Sequence, residues 1–165
     1  APTEAKIKIQ FQHKMAGAQV VLTKGEGFDV AGDWDLLDKK VLVTNTTRKA
    51  KINLTNGEVA PLGGPQATGI VMAVQTDESF RAIVVPQTVQ AGTPLFSITI
   101  GGVAYKFSKS EDFTFTSGKL STFTIKINRN QDPELYELFT REQGSRSALA
   151  KTLLRSGLTN QNTEK

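Results

Sequence analysis

The chain has 165 residues, of which 38% are apolar and 22% are charged, and its formal net charge is +4. This composition excludes a disordered polyampholyte, and no apolar run approaches the ~20 residues that are needed to cross a bilayer. The chain has no cysteine, which excludes disulfides, thiolate metal sites and cysteine nucleophiles. Its basic excess is mild and spread out, whereas nucleic-acid-binding domains usually carry a dense basic face.

The first forty residues predict two strands and a short helical turn. In residues 5–12 three apolar side chains alternate with lysine and glutamine, which is typical of a half-buried strand; they are Ile7, Ile9 and Phe11. A second strand is predicted at 18–23. Residues 31–38 predict one helical turn, and we expect Trp34 to pack that turn onto the sheet.

Further strands follow at short intervals, separated by turn signals such as Asn56-Gly57 and Gly101-Gly102. Residues 58–68, which are rich in proline and glycine, predict a loop. The predicted strands are 40–45, 48–54, 69–75, 79–85, 94–100, 102–107 and 119–127. Because no amphipathic helix separates them, the pattern favours an all-β fold, an antiparallel sandwich or barrel, over a parallel α/β sheet.

The character of the sequence changes after Arg129. Asp132-Pro133-Glu134 is typical of a helix start, and apolar residues at helical spacing predict helices at 132–143 and 146–156. We therefore expect a β-sandwich domain over residues 1–128 and a helical C-terminal tail over 129–165.

Residues that could support catalysis are scarce. The one histidine, His13, stands at the end of the first predicted strand, where a surface or turn position is more common than a catalytic one. One histidine without cysteine nearly excludes a side-chain zinc site. We therefore expect that the chain is not an enzyme, with no catalytic residue, no metal and no cofactor.

Two charged stretches can each be interpreted in two ways, either as a binding site or as a structural feature of the fold. Four carboxylates could hold calcium, but the EF-hand spacing is missing and helix capping explains them as well; they are Asp29, Asp33, Asp35 and Asp38. The densest basic stretch could bind an anion, but no aromatic residue lies within it, and a solvated strand face explains it at least as well; its members are Lys39, Lys40, Arg48, Lys49 and Lys51. We expect no nucleic-acid partner.

Several segments together resemble the fimbrillin family of surface pilus subunits from anaerobic Gram-negative bacteria. Each motif is weak alone, but their order and spacing over residues 5–128 make the match specific. The segments are Ile9-Gln10-Phe11-Gln12-His13-Lys14-Met15, Val20-Val21-Leu22-Thr23-Lys24-Gly25-Glu26-Gly27-Phe28, Ile52-Asn53-Leu54-Thr55-Asn56-Gly57, Ala82-Ile83-Val84-Val85-Pro86-Gln87-Thr88-Val89 and Phe115-Thr116-Ser117-Gly118-Lys119.

The resemblance implies a transthyretin-like Greek-key sandwich that corresponds to the C-terminal domain of such a subunit. It also implies a structural or adhesive subunit at the cell surface, in a fimbria attached to the outer membrane, whose partners are other fimbrial subunits or surface ligands. A membrane contact would then come only through a lipid anchor on a segment outside this sequence. An alternative is a non-polymerising surface sandwich that binds carbohydrate or a host ligand through an exposed aromatic platform near Trp34 or Tyr105.

Subunits of this family assemble by strand exchange, which is β-augmentation between neighbouring chains. The last predicted strand is therefore a candidate assembly interface through Phe123, Ile125 and Ile127. The alternative interpretation is that these three residues are core residues of a central strand.

Overall fold

The computed structural model describes residues 7–28 and 33–129, which form twelve strands and one short helix. The helix, α1, spans Asp33–Leu36. The strands are β1 Ala16–Lys24, β2 Lys39–Val43, β3 Ala50–Ile52, β4 Val59–Pro61, β5 Ile70–Val71, β6 Ala73–Thr76, β7 Ser79–Val84, β8 Gln87–Val89, β9 Pro94–Ile100, β10 Val103–Ser108, β11 Phe113–Phe115 and β12 Leu120–Ile127.

The strands form two four-stranded sheets and two small ribbons. The first sheet has the order β12-β1-β7-β6 and the second has the order β10-β9-β2-β5, while β11 pairs with β8 and β3 pairs with β4. Strands β1 and β12 are parallel, and every other pairing within the described part of the chain is antiparallel. The predicted all-β class is confirmed, but the sheets are not wholly antiparallel.

The core lies between the two four-stranded sheets. On β1 the residues Ala16, Ala18, Val20 and Leu22 are buried and alternate with more accessible ones, as expected for a strand with one face inward. Phenylalanines from both sheets pack edge to face, with the ring centroids of Phe96 and Phe123 4.8 Å apart. Burying each such side chain contributes about 1.5–3 kcal/mol, so this interior is the main source of stability.

Most of the longer predicted strands are confirmed. The predictions at 18–23, 40–45, 79–85, 94–100, 102–107 and 119–127 correspond to β1, β2, β7, β9, β10 and β12. The Gly101-Gly102 hairpin is confirmed as well, since both glycines have positive φ, at 55° and 85°, as a tight two-residue β-turn requires.

Other predictions need correction. The predicted strand 69–75 is two strands, because the chain crosses from the second sheet to the first at the buried Met72. The predicted strand 48–54 is reduced to β3, and its partner β4 lies inside the region predicted as a loop. The short strands β8 and β11 were not predicted from the sequence.

The strand predicted at 5–12 is wrong for its described residues, because residues 7–14 belong to no strand and Ile7, Ile9 and Phe11 are exposed. The predicted helical turn at 31–38 is present as α1. The helices predicted at 132–143 and 146–156 lie outside the described residues, as does most of the predicted tail.

Candidate assembly surface

The residues that precede β1 form an arm, which we define as residues 7–14. Its apolar side chains are 84%, 71% and 89% exposed at Ile7, Ile9 and Phe11, respectively. They alternate with polar side chains, as in a strand with one apolar face, yet the arm has no strand partner within the described part of the chain. The arm therefore has the alternating sequence of a half-buried strand, but its apolar side chains are not buried.

The arm leaves the domain beside the turn that precedes β12. The Ser117 hydroxyl donates to the Lys14 carbonyl at 2.7 Å, and the Gly118 amide donates to the Met15 carbonyl at 3.0 Å. A Cβ at Gly118 would come 2.8 Å from the His13 carbonyl oxygen, so the two segments approach closely here. These contacts fix the root of the arm while its apolar residues stay accessible.

An open groove of about 950 Å³ lies next to this root. Fifteen residues line it, contributed by the root of the arm, the start of β1, the crossing from β5 to β6, the end of β7 and the turn into β12. The groove thus lies at the end of the first sheet where β1 and β12 start, which is the end from which the arm leaves the domain.

The apolar part of the groove is built around Gly17. In the sheet register Gly17 lies between Leu120 on β12 and Ile83 on β7, and both of these side chains are exposed. A Cβ at Gly17 would come 2.8 Å from Leu120 Cδ1, so the leucine leans over the glycine. Leu120 therefore covers the position where a side chain at Gly17 would stand, and Leu120 and Ile83 together provide an exposed apolar surface in the groove.

The polar part of the groove is basic. Its lining includes His13, Lys14, Arg81 and Lys119 and contains no aspartate or glutamate. Arg81 Nε donates to the amide oxygen of Gln19 at 3.2 Å, which leaves the arginine charge without a carboxylate partner among the described residues. The groove is therefore an apolar channel with a cationic rim.

The β3–β4 hairpin stands beside the arm. A Cβ at Gly57 in its turn would come 3.3 Å from the Lys14 side chain. The Asn53 and Asn56 side chains brace the turn by accepting from the amides of Thr55 and Glu58, both at 3.0 Å. This rigid turn presents Leu54 to solvent, and it adds a further apolar residue to the same end of the domain.

A compact cluster closes the opposite end of the sandwich. Trp34 is buried, stacks edge to face on Phe28 with centroids 5.0 Å apart, and donates to the Glu78 carboxylate at 2.7 Å. Arg129, just after β12, pairs with Asp33 and lies over the Phe28 ring. The predicted packing of Trp34 is confirmed, and the cluster anchors α1 to the end of β12.

A sequence model of fimbrillin-like proteins matches residues 1–137. The chain belongs to the fimbrillin-like family. This match covers most of the chain, including the arm, the groove and both sheets, and it confirms the family assignment that the sequence motifs indicate. No curated protein matches the chain.

Solved structures of proposed cell adhesion proteins resemble this fimbrillin-like chain. One from Bacteroides uniformis has 21% identity and a TM-score of 0.56, covering 72% of this chain and 47% of its own. Another, from Bacteroides thetaiotaomicron, has 23% identity and a TM-score of 0.46, covering 71% and 47%. The chain thus spans about half the length of these structures, and the first comparison shows a shared fold.

The interface candidates of this fimbrillin-like domain, Phe123, Ile125 and Ile127, point into the core and are buried. Strand β12 nevertheless lies at the edge of its sheet, paired only with β1 among the described strands. As assembly contacts the three residues therefore remain a prediction. The arm and the groove were not predicted as a site, although the alternation in residues 7–11 was visible in the sequence.

The other candidate residues do not converge on a chemical site in the described part of the domain. His13 is exposed on the groove rim, and the described residues contain no group of three or more histidines and carboxylates that could hold a metal ion. In the basic stretch, Lys49 and Lys51 are exposed, whereas Lys39 contacts the Trp34 carbonyl at 2.6 Å. No helix in residues 7–28 and 33–129 is long and apolar enough to span a bilayer.

Proposed function

We propose that this chain is part of a structural or adhesive subunit of a bacterial surface fimbria, located outside the cell at the outer membrane. Its partners are other fimbrial subunits and the surfaces that the fibre contacts. Membership of the fimbrillin-like family and the fold shared with a proposed adhesion protein support this role. The observation that carries the proposal is the exposed arm, with its alternating apolar residues and no strand partner among the described residues.

Assembly in this proposal uses β-strand contacts between subunits. A strand-like segment that exposes Ile7, Ile9 and Phe11 gains stability when a neighbouring sheet buries those side chains and pairs with its backbone. Strand β12 offers such a sheet edge, eight residues long and interrupted by neither proline nor a bulge in its pairing with β1. Long regular edges of this kind readily accept another strand.

The finer parts of the sequence-based interpretation belong to the same proposal. We propose a transthyretin-like Greek-key connection, supported by the two four-stranded sheets, and a helical tail after residue 128. We also propose that the chain has no catalytic activity. The alternative of a carbohydrate platform loses its basis, because Trp34 and Tyr105 are only 3% and 1% exposed.

The arm is tested by the paired substitutions Ile9→Lys and Phe11→Lys in the subunit as its bacterium produces it. Charges on the apolar face would have to be buried against the neighbouring sheet, so we expect the loss of surface fibres in electron micrographs. The matched control is Gln10→Lys with Gln12→Lys, which adds the same two positive charges on the opposite face of the arm. Normal fibres from the arm variant, or fibre loss with the control alone, would refute arm-mediated assembly.

A further inference from the structure

The groove has the chemistry of a docking site for an acidic, partly apolar surface. Its rim carries Lys14, Arg81 and Lys119, none of which forms an ion pair with a described residue, while Leu120 and Ile83 provide an exposed apolar floor. Unpaired cations around exposed apolar side chains favour a partner that brings carboxylates and one apolar side chain together.

The α1 corner, which we define as residues 35–38, has that complementary chemistry. Leu36 is 85% exposed, and it lies between the exposed carboxylates of Asp35 and Asp38. Neither carboxylate forms a hydrogen bond or an ion pair with another described residue, unlike Asp33, which pairs with Arg129. The buried Trp34 holds this corner rigidly on the sandwich.

We propose that the groove of one copy of this chain receives the α1 corner of a second copy. Leu36 would pack against the exposed side chains of Leu120 and Ile83 of the neighbouring copy, and Asp35 and Asp38 would face its Lys14 and Lys119. The inference rests on the proposed function in one respect, because it names the neighbouring subunit as the partner of the groove. It adds an electrostatic contact that uses Lys14 at the root of the arm, and it is distinct from strand pairing by the apolar residues Ile7, Ile9 and Phe11.

The two surfaces cannot meet within one copy. Strand β12 begins at the groove with Leu120, and its eight residues end at Ile127, next to the corner. At ~3.3 Å per residue the steps from Leu120 to Ile127 separate the two surfaces by roughly 23 Å. A contact between copies therefore joins the groove of one copy to the α1 corner of the next. One free groove and one free corner remain at the two ends of such a row, so the contact can repeat in one direction, as in a linear fibre.

A charge-swap experiment on the full chain tests this contact. One variant carries Asp35→Lys and Asp38→Lys, so that its corner and groove are both basic. The other carries Lys14→Glu and Lys119→Glu, so that both of its surfaces are acidic. We expect each variant alone to associate at least about tenfold more weakly than the unchanged chain in sedimentation velocity at millimolar concentration, and their mixture to associate again.

The matched control is Lys106→Glu with Lys109→Glu, which makes the same change of charge at exposed positions on β10 and in the loop that follows it, outside both surfaces. It should associate like the unchanged chain, and association of the unchanged chain should weaken as salt rises. A monomeric unchanged chain, undiminished association of either variant, a mixture that stays monomeric, or a control that also loses association would each overturn the proposal.

The result separates this contact from the assembly role of the arm. Suppose that the charge-swap variants do not associate as expected while Ile9→Lys with Phe11→Lys removes surface fibres. The groove contact is then refuted, and the proposed function is still supported. If the charge-swap variants associate only as a mixture while the arm variant forms normal fibres, the groove contact is supported and strand assembly through the arm is refuted.

Discussion

The indole N–H of Trp34 donates to the Glu78 carboxylate at 2.7 Å, which joins α1 to the turn between β6 and β7. Trp34 is buried, so its N–H has little access to water if this acceptor is lost. The bond spans 44 positions of sequence, and it fixes the orientation of the corner that carries Asp35 and Leu36.

Replacement of Glu78 by leucine should destabilise the domain by about 1–3 kcal/mol, because a buried donor is left without an acceptor. Glu78→Gln is the matched variant: its amide oxygen can accept the same bond, and we expect a smaller loss. Trp34 is the single tryptophan of the chain, so its fluorescence reports urea unfolding directly. Equal midpoints for the leucine and glutamine variants would show that the bond is not the stabilising element.

Glycine-to-alanine substitutions at two points of the β1–β12 pairing should differ sharply. A Cβ at Gly25 would collide with Ile127 O and Asn128 Oδ1, and both atoms are held by hydrogen bonds at 2.8 and 2.9 Å. We expect Gly25→Ala to cost about 1–3 kcal/mol, as overpacking typically does. The comparison is made by urea denaturation with intact secondary structure checked by circular dichroism.

Gly17→Ala is the contrasting case. Its new methyl group would come too close only to the end of the half-exposed Leu120 side chain, which can rotate away, while the Leu120 Cα lies at an ordinary contact distance of 3.5 Å. Alanine also restricts the unfolded chain more than glycine does, so stability should change by less than about 1 kcal/mol. A loss at Gly17 as large as that at Gly25 would contradict this account.

The Tyr105 hydroxyl should titrate at unusually high pH. Burial raises the pKa of Tyr105 above its ordinary value of 10.0, and the positive charge of Arg129 offsets part of the increase. Because the folded-state pKa is raised, the contribution of Tyr105 to stability is present below pH 10 and is lost as the pH rises through the folded-state value. Denaturation midpoints measured across this alkaline range should therefore fall.

Tyr105→Phe is the control for this titration, since it removes the ionisable hydroxyl and keeps the ring. The variant should lose part of the alkaline fall in stability. UV difference spectra should show one late-titrating tyrosinate fewer. An unchanged alkaline profile in the variant would assign the effect to other groups.

The sequence allowed the longer strands to be predicted because their burial follows a local period. Strand β1 alternates buried and accessible residues along its length, and this alternation is visible in the amino-acid order. Three-residue strands such as β8 and β11 give too few positions for a period to appear. The parallel pairing of β1 with β12 joins distant parts of the chain, so no local pattern could show it.

The arm and the groove could not be predicted from local patterns either, because both depend on which strands pair in the folded domain. Alternation at Ile7, Ile9 and Phe11 predicted a half-buried strand, and this prediction was wrong because a strand also needs a partner, and the domain supplies none to the described residues of the arm. The groove depends on Gly17 meeting Leu120 and Ile83, which only the sheet register determines.

Ile125 and Thr124 are neighbours on β12 that face opposite sides of the first sheet, and they separate the two interpretations of this strand. Ile125 is 0% exposed within the core, whereas Thr124 lies on the accessible face opposite Val21. If Ile125 is a core residue, Ile125→Asp buries a carboxylate and should destabilise the domain by more than about 4 kcal/mol, enough to unfold most domains of this size.

Thr124→Asp places the same carboxylate in solvent and should cost less than about 1 kcal/mol. Circular dichroism and Trp34 fluorescence measure folding, and light scattering measures association. A folded but monomeric Ile125→Asp variant, beside an associating Thr124→Asp variant, would contradict the core assignment and favour β12 as an assembly interface. An unfolded Ile125→Asp variant with a folded control would show that the apolar face of β12 stabilises the subunit itself, which leaves the backbone edge of the strand for contacts with neighbours.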